Sequence, residues 1–334
     1  MSTVDLETLG ARGPADDEAV DAPDRDIAGK SPTRIAFDRL KRDKVFLVSA
    51  AVIVVFAILG LFAPLITKLM GTNAGDAGAL DITKTDVYGM SLVRPSLQHP
   101  FGYAPATAGG YDNFARWLYG ARTSLGVAIT ASVVTVAIGI VVGLVAGMAR
   151  GWFDAVITFV IDVFLCMPFL LVALAVAPIL FQRFGNSESS FASASLVALL
   201  LILIFFTWMY MARLIRGEVL SLREREFIQA ARVIGVPTRQ ILFKELLPNL
   251  VAPIVVSLSL LLPQLVTAEA SLSYLGVGLT GIPSWGQTIN SATSWFSADP
   301  WFLWQPLLAL VLLVITLNLA GDSIRDAFDP RTRR

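Results

Sequence analysis

Cysteine and histidine are almost missing: one of each in 334 residues. The lone Cys166 excludes an intrachain disulfide and a Cys-x-x-Cys redox pair, and with only His99 available no Cys/His zinc cluster can form. A hydrolytic triad would have to use His99, which sits in a polar Gln98-His99-Pro100 stretch with no partner pattern beside it. The chain also lacks a G-x-x-x-x-G-K-[ST] phosphate loop, a G-x-G-x-x-G turn after a strand, and H-E-x-x-H. An enzyme built on this chain alone is not expected. Charge is scarce too, at 16% against roughly 25% in soluble domains. Its 26 basic and 26 acidic residues cancel, so no general attraction to nucleic acid follows.

What is abundant is apolar: 55% of residues are hydrophobic and the mean hydropathy is +0.68. A bilayer core about 30 Å thick takes roughly 20 apolar helical residues to cross. Six stretches reach or approach that length: Val45–Ile66, Ser124–Met148, Ala155–Phe181, Ser195–Met211 (starting as early as Phe191), Val251–Leu272 and Trp301–Leu319. The third carries Asp162, Pro168 and Pro178, which predicts a kinked or broken helix. Trp208, Trp301 and Trp304 lie near span ends, where indoles favour the headgroup layer. The expected fold class is therefore an all-α polytopic membrane protein with six transmembrane helices.

Orientation follows from Lys and Arg. With the N-terminus inside, 18 of the 26 fall in inner segments, six in outer ones and two in the distal tail. Both termini are therefore expected in the cytoplasm. The domain reading is a disordered acidic tail over 1–29, a basic juxtamembrane segment over 30–44, a first span over 45–66, and an external segment over 67–123. A core over 124–319 follows, containing an inner loop over 212–250, and then a cytoplasmic tail over 320–334. Forty-four mostly polar residues precede the first apolar run, unlike a secretory signal. In 30–44, Ile35, Phe37 and Leu40 interrupt six cations, which fits a short helix on the anionic inner leaflet or ordinary positive-inside flanking charge. The external segment is long enough to bind or cover something, and Phe114–Tyr119 reads as an interfacial helix. The outer stretch 273–300, with Asp299 as its single charge, is expected to pack on the protein or dip toward a pore.

The inner loop holds seven of the basic residues and reads as helix, break, helix. Phe227, Ala230, Ala231 and Ile234 recur at i, i+3, i+4, i+7 and give one apolar face. Gly235 is placed for a left-handed cap, Pro237 stops continuation, and Thr238 can cap the next helix. Ile241, Leu242, Glu245 and Leu246 start a second stripe before Leu247-Pro248. Small alanines allow close backbone approach while Arg225, Glu226 and Arg232 can pair at a rim, which suits docking in another protein's groove. A hairpin lying against its own bundle fits the pattern equally.

The loop resembles the EAA motif (Glu-Ala-Ala, three residues, Gly, then Leu-Pro) of permease subunits of bacterial ABC importers: here Gln229-Ala230-Ala231, Gly235 and Leu247-Pro248. Other stretches are similar to the C-type permease of oligopeptide/dipeptide importers, over most of 40–331. They include His99-Pro100-Phe101-Gly102, Arg122-Thr123-Ser124, Asp162 with Met167-Pro168, Glu269 through Gly278, Pro283-Ser284-Trp285-Gly286, and Gly321-Asp322 through Asp329-Pro330. The resemblance implies a type I ABC importer permease architecture in a bacterial cytoplasmic membrane. It also implies that Arg225, Glu226, Gln229, Ala230, Ala231, Arg232, Gly235, Leu247 and Pro248 couple to an ATPase. Implied partners are a homologous B-type permease subunit, two ATP-binding subunits or domains, an external substrate-binding protein and membrane lipid, with no nucleic acid. This chain would bind no cofactor; ATP and Mg would sit in the partner ATPases. Two departures stand out: the motif Glu is Gln229, and of the external Gly-Arg-Asp ending only Gly110-x-Asp112 remains.

Asp162 and Glu269 fall inside expected spans, where ionised groups are expensive. They either line the translocation path or bond a neighbouring helix. The implied function is import of di- or oligopeptides by alternating access. The alternatives are nickel, glutathione or another small solute within the same family, and a proton-coupled transporter using the two acids.

Overall fold

The computed structural model describes residues 32–72, 74, 80, 82–93, 95–149, 151–184 and 188–329. The expected acidic tail and the last residues of the C-terminal tail lie outside them. Described elements are helical apart from two isolated β-bridges, Thr85 to Ser91 and Tyr103 to Asp112. Five helices are long and apolar enough to cross a membrane, or six when one bent pair is taken as a single span.

Helix α1 (Pro32–Leu40) buries Ala36 and Leu40 against Ala327, and the Arg39 guanidinium donates to the carbonyls of Ala327 and Asp329, each at 3.3 Å. The basic juxtamembrane segment is thus tied to the end of the last helix. Asp43 caps α2 (Lys44–Leu61), its carboxylate accepting from the Val45 N–H at 2.8 Å. The first span ends there, not at Ile66. Pro64 lacks an N–H and is accommodated only in a new first turn, so α3 (Ala63–Met70) starts a separate helix.

Three helices outrun their predicted spans by nine residues or more. α4 (Asn113–Met148) begins eleven residues before Ser124, capped by the Asp112 carboxylate on the Ala115 N–H at 2.7 Å. Phe114–Tyr119 is therefore the first part of α4 and not a separate interfacial helix. Thirty-six residues at 1.5 Å each span about 54 Å, well beyond the hydrocarbon thickness. The third span is broken as the prolines predicted: α5 (Trp152–Leu165) and α6 (Phe169–Phe184) meet at 86° across Cys166-Met167-Pro168. α7 (Glu188–Arg223) does not stop at Met211; Ile215 and Val219 continue its buried stripe twelve residues into the expected inner loop.

α4 and α7 pack through a glycine seam. A Cβ placed on Gly139, Gly143 or Gly147 would lie 2.5 Å from Met211 Cβ, 2.7 Å from Ile215 Cβ and 2.6 Å from Val219 Cβ. Glycines four apart let two backbones approach where lipid offers no hydrophobic drive. A bidentate ion pair from Arg216 to Asp154, at 2.8 and 2.9 Å, ties α7 to α5 at the inner end of this seam.

Past α7, helix α8 (Glu226–Val233) is followed by α9 (Thr238–Gln240), a π-helical stretch (Ile241–Leu246) and α10 (Leu247–Asn249). α11 (Val251–Tyr274) then recrosses the bilayer. The outer stretch packs on the protein as α12 (Trp285–Thr293), capped by Ser284. Its Trp285 is fully buried, fits over Gly120, and donates its indole N–H to the Trp117 carbonyl at 3.0 Å. Asp299 caps α13 (Pro300–Phe328), which extends nine residues past Leu319 toward the inner side.

Candidate coupling face and intramembrane acids

Arg225 precedes α8 in extended backbone, and Glu226 in the first turn complements the positive helix end. At the other end Gly235 has φ +82°; its N–H bonds Arg232 O at 3.1 Å and the Val236 N–H bonds Ala231 O at 3.0 Å. Those two bonds form a Schellman termination, which needs the left-handed residue that Gly235 supplies. Thr238 does not cap the following helix. It is already the first helical residue, with no side-chain capping bond, because Pro237 sets the extended entry.

α8 is anchored on one side and bare on the other. Ile228 is fully buried, in one core with Ile241, Leu246 and Leu250, and Ala231 packs against that core. Five residues separate Ile241 from Leu246, and the π-helical winding keeps both inward. Of the predicted apolar face, Phe227, Ala230 and Ile234 point outward with Val233, leaving Val233 86% and Ile234 78% exposed. Exposed apolar residues clustered on a charged loop mark a surface suited to contact with a protein or a membrane.

The charged residues divide in the same way. Gln229 folds back, its amide donating to the Glu224 carbonyl at 3.1 Å, so it braces the entry to α8. Arg223 donates to the Gly147 carbonyl at 3.1 Å, at the end of α4 where a cation meets the negative helix pole. Arg232 lies 4.0 Å from the Met148 sulfur. Arg225 and Glu226 are exposed beside the bare face. Leu247 and Pro248 open α10, with Leu247 half-buried and Pro248 exposed. The motif therefore packs on a platform formed by the inner ends of α4 and α7 and the π-helical stretch.

The two intramembrane acids are not brought together. Glu269 on α11 is fully enclosed, and its carboxylate accepts from Ser124 at 2.7 Å and Ser273 at 2.8 Å, joining α11 to α4. Asp162 on α5 is half-exposed, 3.5 Å from the Arg213 guanidinium of α7. Among the described residues no group of three or more His, Cys, Asp or Glu side chains could hold a metal ion. Outside the bilayer, His99 Nδ1 lies 2.6 Å from Asp112 and Nε2 3.1 Å from the Tyr103 hydroxyl. Burial first, then the Asp112 charge, raises the Tyr103 pKa above its ordinary value. Both residues lie in stretches that carried the family resemblance, His99 in His99-Pro100-Phe101-Gly102 and Asp112 in the surviving Gly110-x-Asp112, but nothing in the sequence paired them.

A helical bundle with five or six candidate membrane spans and a capped helix at its inner face defines a multi-pass membrane protein. The chain belongs to the family of binding-protein-dependent transport system inner membrane components, which it matches over residues 139–334; residues 31–77 match the N-terminal TM domain of oligopeptide transport permease C. It is 32% identical to the dipeptide transport system permease protein DppC of Alkalihalophilus pseudofirmus, over 93% of this chain and 94% of that one. It is 33% identical to the glutathione transport system permease protein GsiD of Escherichia coli O6:K15:H31, over 91% and 92%. With the oligopeptide transport system permease protein OppC of Mycobacterium bovis it shares 35% identity over 72% and 79%. Among solved structures, a chain of the inward-facing MetNI methionine ABC transporter superposes with a TM-score of 0.51 at 22% identity, covering 63% of this chain and 94% of that one, which supports the fold. The protein is thus an inner-membrane permease component of an ABC importer, whose ATPase is a separate subunit.

Proposed function

We propose that this chain is the C-type translocation subunit of an importer for di- and oligopeptides, and that α8 is the element through which partner ATPases drive it. The observation that carries the coupling role is the two-sidedness of α8: Ile228 locks it to the core while Phe227, Ala230, Val233 and Ile234 are presented outward. Closure of the ATPases on ATP would push on that face, and the platform would pass the motion to α4 and α7 as alternating access. Arg225 and Glu226 stand at the rim to pair with the ATPase cleft, whereas Gln229 keeps the helix entry in place. A B-type permease subunit, two ATP-binding subunits or domains and an external binding protein complete the assembly. Nucleotide and Mg belong to the ATPases, consistent with the missing phosphate loop. Peptide cargo is supported by the similarity to DppC and OppC; glutathione, itself a small peptide, is the second reading, supported by the similarity to GsiD.

Phe227→Asp combined with Val233→Asp tests the coupling role. Both side chains are exposed, so the variant should insert and pair with the second permease normally. Co-purification of the ATPases and ATP-dependent peptide uptake should both fall at least tenfold, as loss of two central interface contacts implies. Wild-type uptake would refute α8 as the driven element.

A further inference from the structure

A second feature lies at bilayer depth, away from both acids. Gln264, Thr267 and Ser271 recur at i, i+3, i+7 on α11 and so share one helix face. Gln264 and Thr267 are exposed and Ser271 is half-buried, in a span whose other exposed positions would ordinarily be apolar. They line an open groove of about 450 Å³, bordered also by Asn318 and Val314 of α13 and by Phe169 of α6. Phe169 is the first residue after the 86° break at Cys166-Met167-Pro168. Irregular backbone at membrane depth is tolerated where it is buried in protein or borders water. An exposed polar stripe and a helix break on the same groove mark this as the wet side of the bundle.

The hydrogen bonds define what the groove can bind. The Thr267 hydroxyl donates to Pro263 O and the Ser271 hydroxyl to Thr267 O, both at 2.8 Å, and the Asn318 amide donates to Val314 O at 2.8 Å. The two hydroxyl protons are thus committed, and the Thr267 and Ser271 oxygens and the Asn318 amide oxygen remain free to accept. Among the described residues the Gln264 amide has no hydrogen-bond partner, and no charged side chain lines the groove. Three and four residues of helix separate the polar groups by about 4.5 and 6 Å. Backbone amides on one edge of an extended chain recur at about 6.6 Å.

We infer that Gln264, Thr267, Ser271 and Asn318 line the translocation path and hydrogen-bond the backbone N–H groups of an extended peptide in transit. The inference rests on the peptide-import reading above. Acceptors aimed at the backbone ignore side-chain identity, as a path for peptides of varied sequence requires. Glu269, sealed between α4 and α11, takes no part, and Asp162 lies on the far side of the break, paired with Arg213.

The test uses the complete complex with its second permease, ATPases and binding protein in proteoliposomes, in a Cys166→Ser background, with trialanine as the probe peptide. Gln264→Cys and Thr267→Cys should react with a small sulfonated thiosulfonate reagent, and trialanine with ATP should slow the reaction. Gln264→Leu and Thr267→Val should each raise the KM for trialanine uptake about tenfold, the effect of one lost hydrogen bond, with ATPase assembly unchanged. Thr267→Ser, which keeps the hydroxyl, should restore the wild-type KM. Cysteines that do not react, reaction unaffected by trialanine, or wild-type KM in the Leu and Val variants would each overturn the inference. Failure of the wild-type complex to take up trialanine would instead refute the peptide reading beneath it.

Discussion

Gly143 shows how much a single missing side chain decides. Any Cβ there would meet Ile215 Cβ at 2.7 Å and the Ala212 carbonyl at 2.8 Å, one of them backbone, so the helices would have to separate. Gly143→Leu should destabilise the α4–α7 pair by about 1–3 kcal/mol or more, read as a lower melting temperature of the purified complex. Gly217 on α7 has no atom within 4 Å of a placed Cβ, and Gly217→Ala should leave that temperature unchanged or slightly raised. Glu269 is decided at the same scale. Two serines from two helices point their hydroxyls at one enclosed carboxylate, which is the arrangement of a helix clasp. In the sequence, charge left Asp162 and Glu269 open between lining the path and bonding a neighbouring helix; charge identifies an intramembrane exception, and only packing says which way it points.

Among the elements, the legible parts were those whose cause is local. Pro168 predicted a break because a proline lacks the N–H that continues a helix, and the break is there. Gly235 predicted a left-handed cap, and φ +82° shows it. Less legible was where long helices end, since hydropathy registers the bilayer and α4, α7 and α13 continue as helices in water, held by tertiary contacts such as Arg216 with Asp154. The Gly139-x-x-x-Gly143-x-x-x-Gly147 seam was legible in principle as small residues four apart. The π-helical winding over Ile241–Leu246 was not, because its apolar stripe also fits an ordinary helix. For α8 a prediction follows from its termination. Gly235→Val forces a β-branched residue into left-handed backbone, a strain of about 1–2 kcal/mol, and should re-aim the segment and cut uptake. Gly235→Asn, which tolerates that conformation, should keep most of it. Circular dichroism of both variants should remain helical, so the difference in uptake reports α8 geometry.

Across the whole molecule, the inner ends of α4 and α7 and the π-helical stretch share one core, with α8 fixed on it and bare outward, while α1 packs separately on the end of α13. On the proposed reading, force applied at α8 would reach the spans through that core, while the polar groove beside α11 lies away from the point of push. This is the arrangement expected of a gate worked from the cytoplasmic side by a protein that supplies the energy. Uptake of a radiolabelled peptide into proteoliposomes holding the permease pair and binding protein, with and without the ATP-binding subunits, tests that most directly. The account predicts accumulation against a gradient only when the ATPases and ATP are both present. Accumulation by the permease pair alone would contradict it.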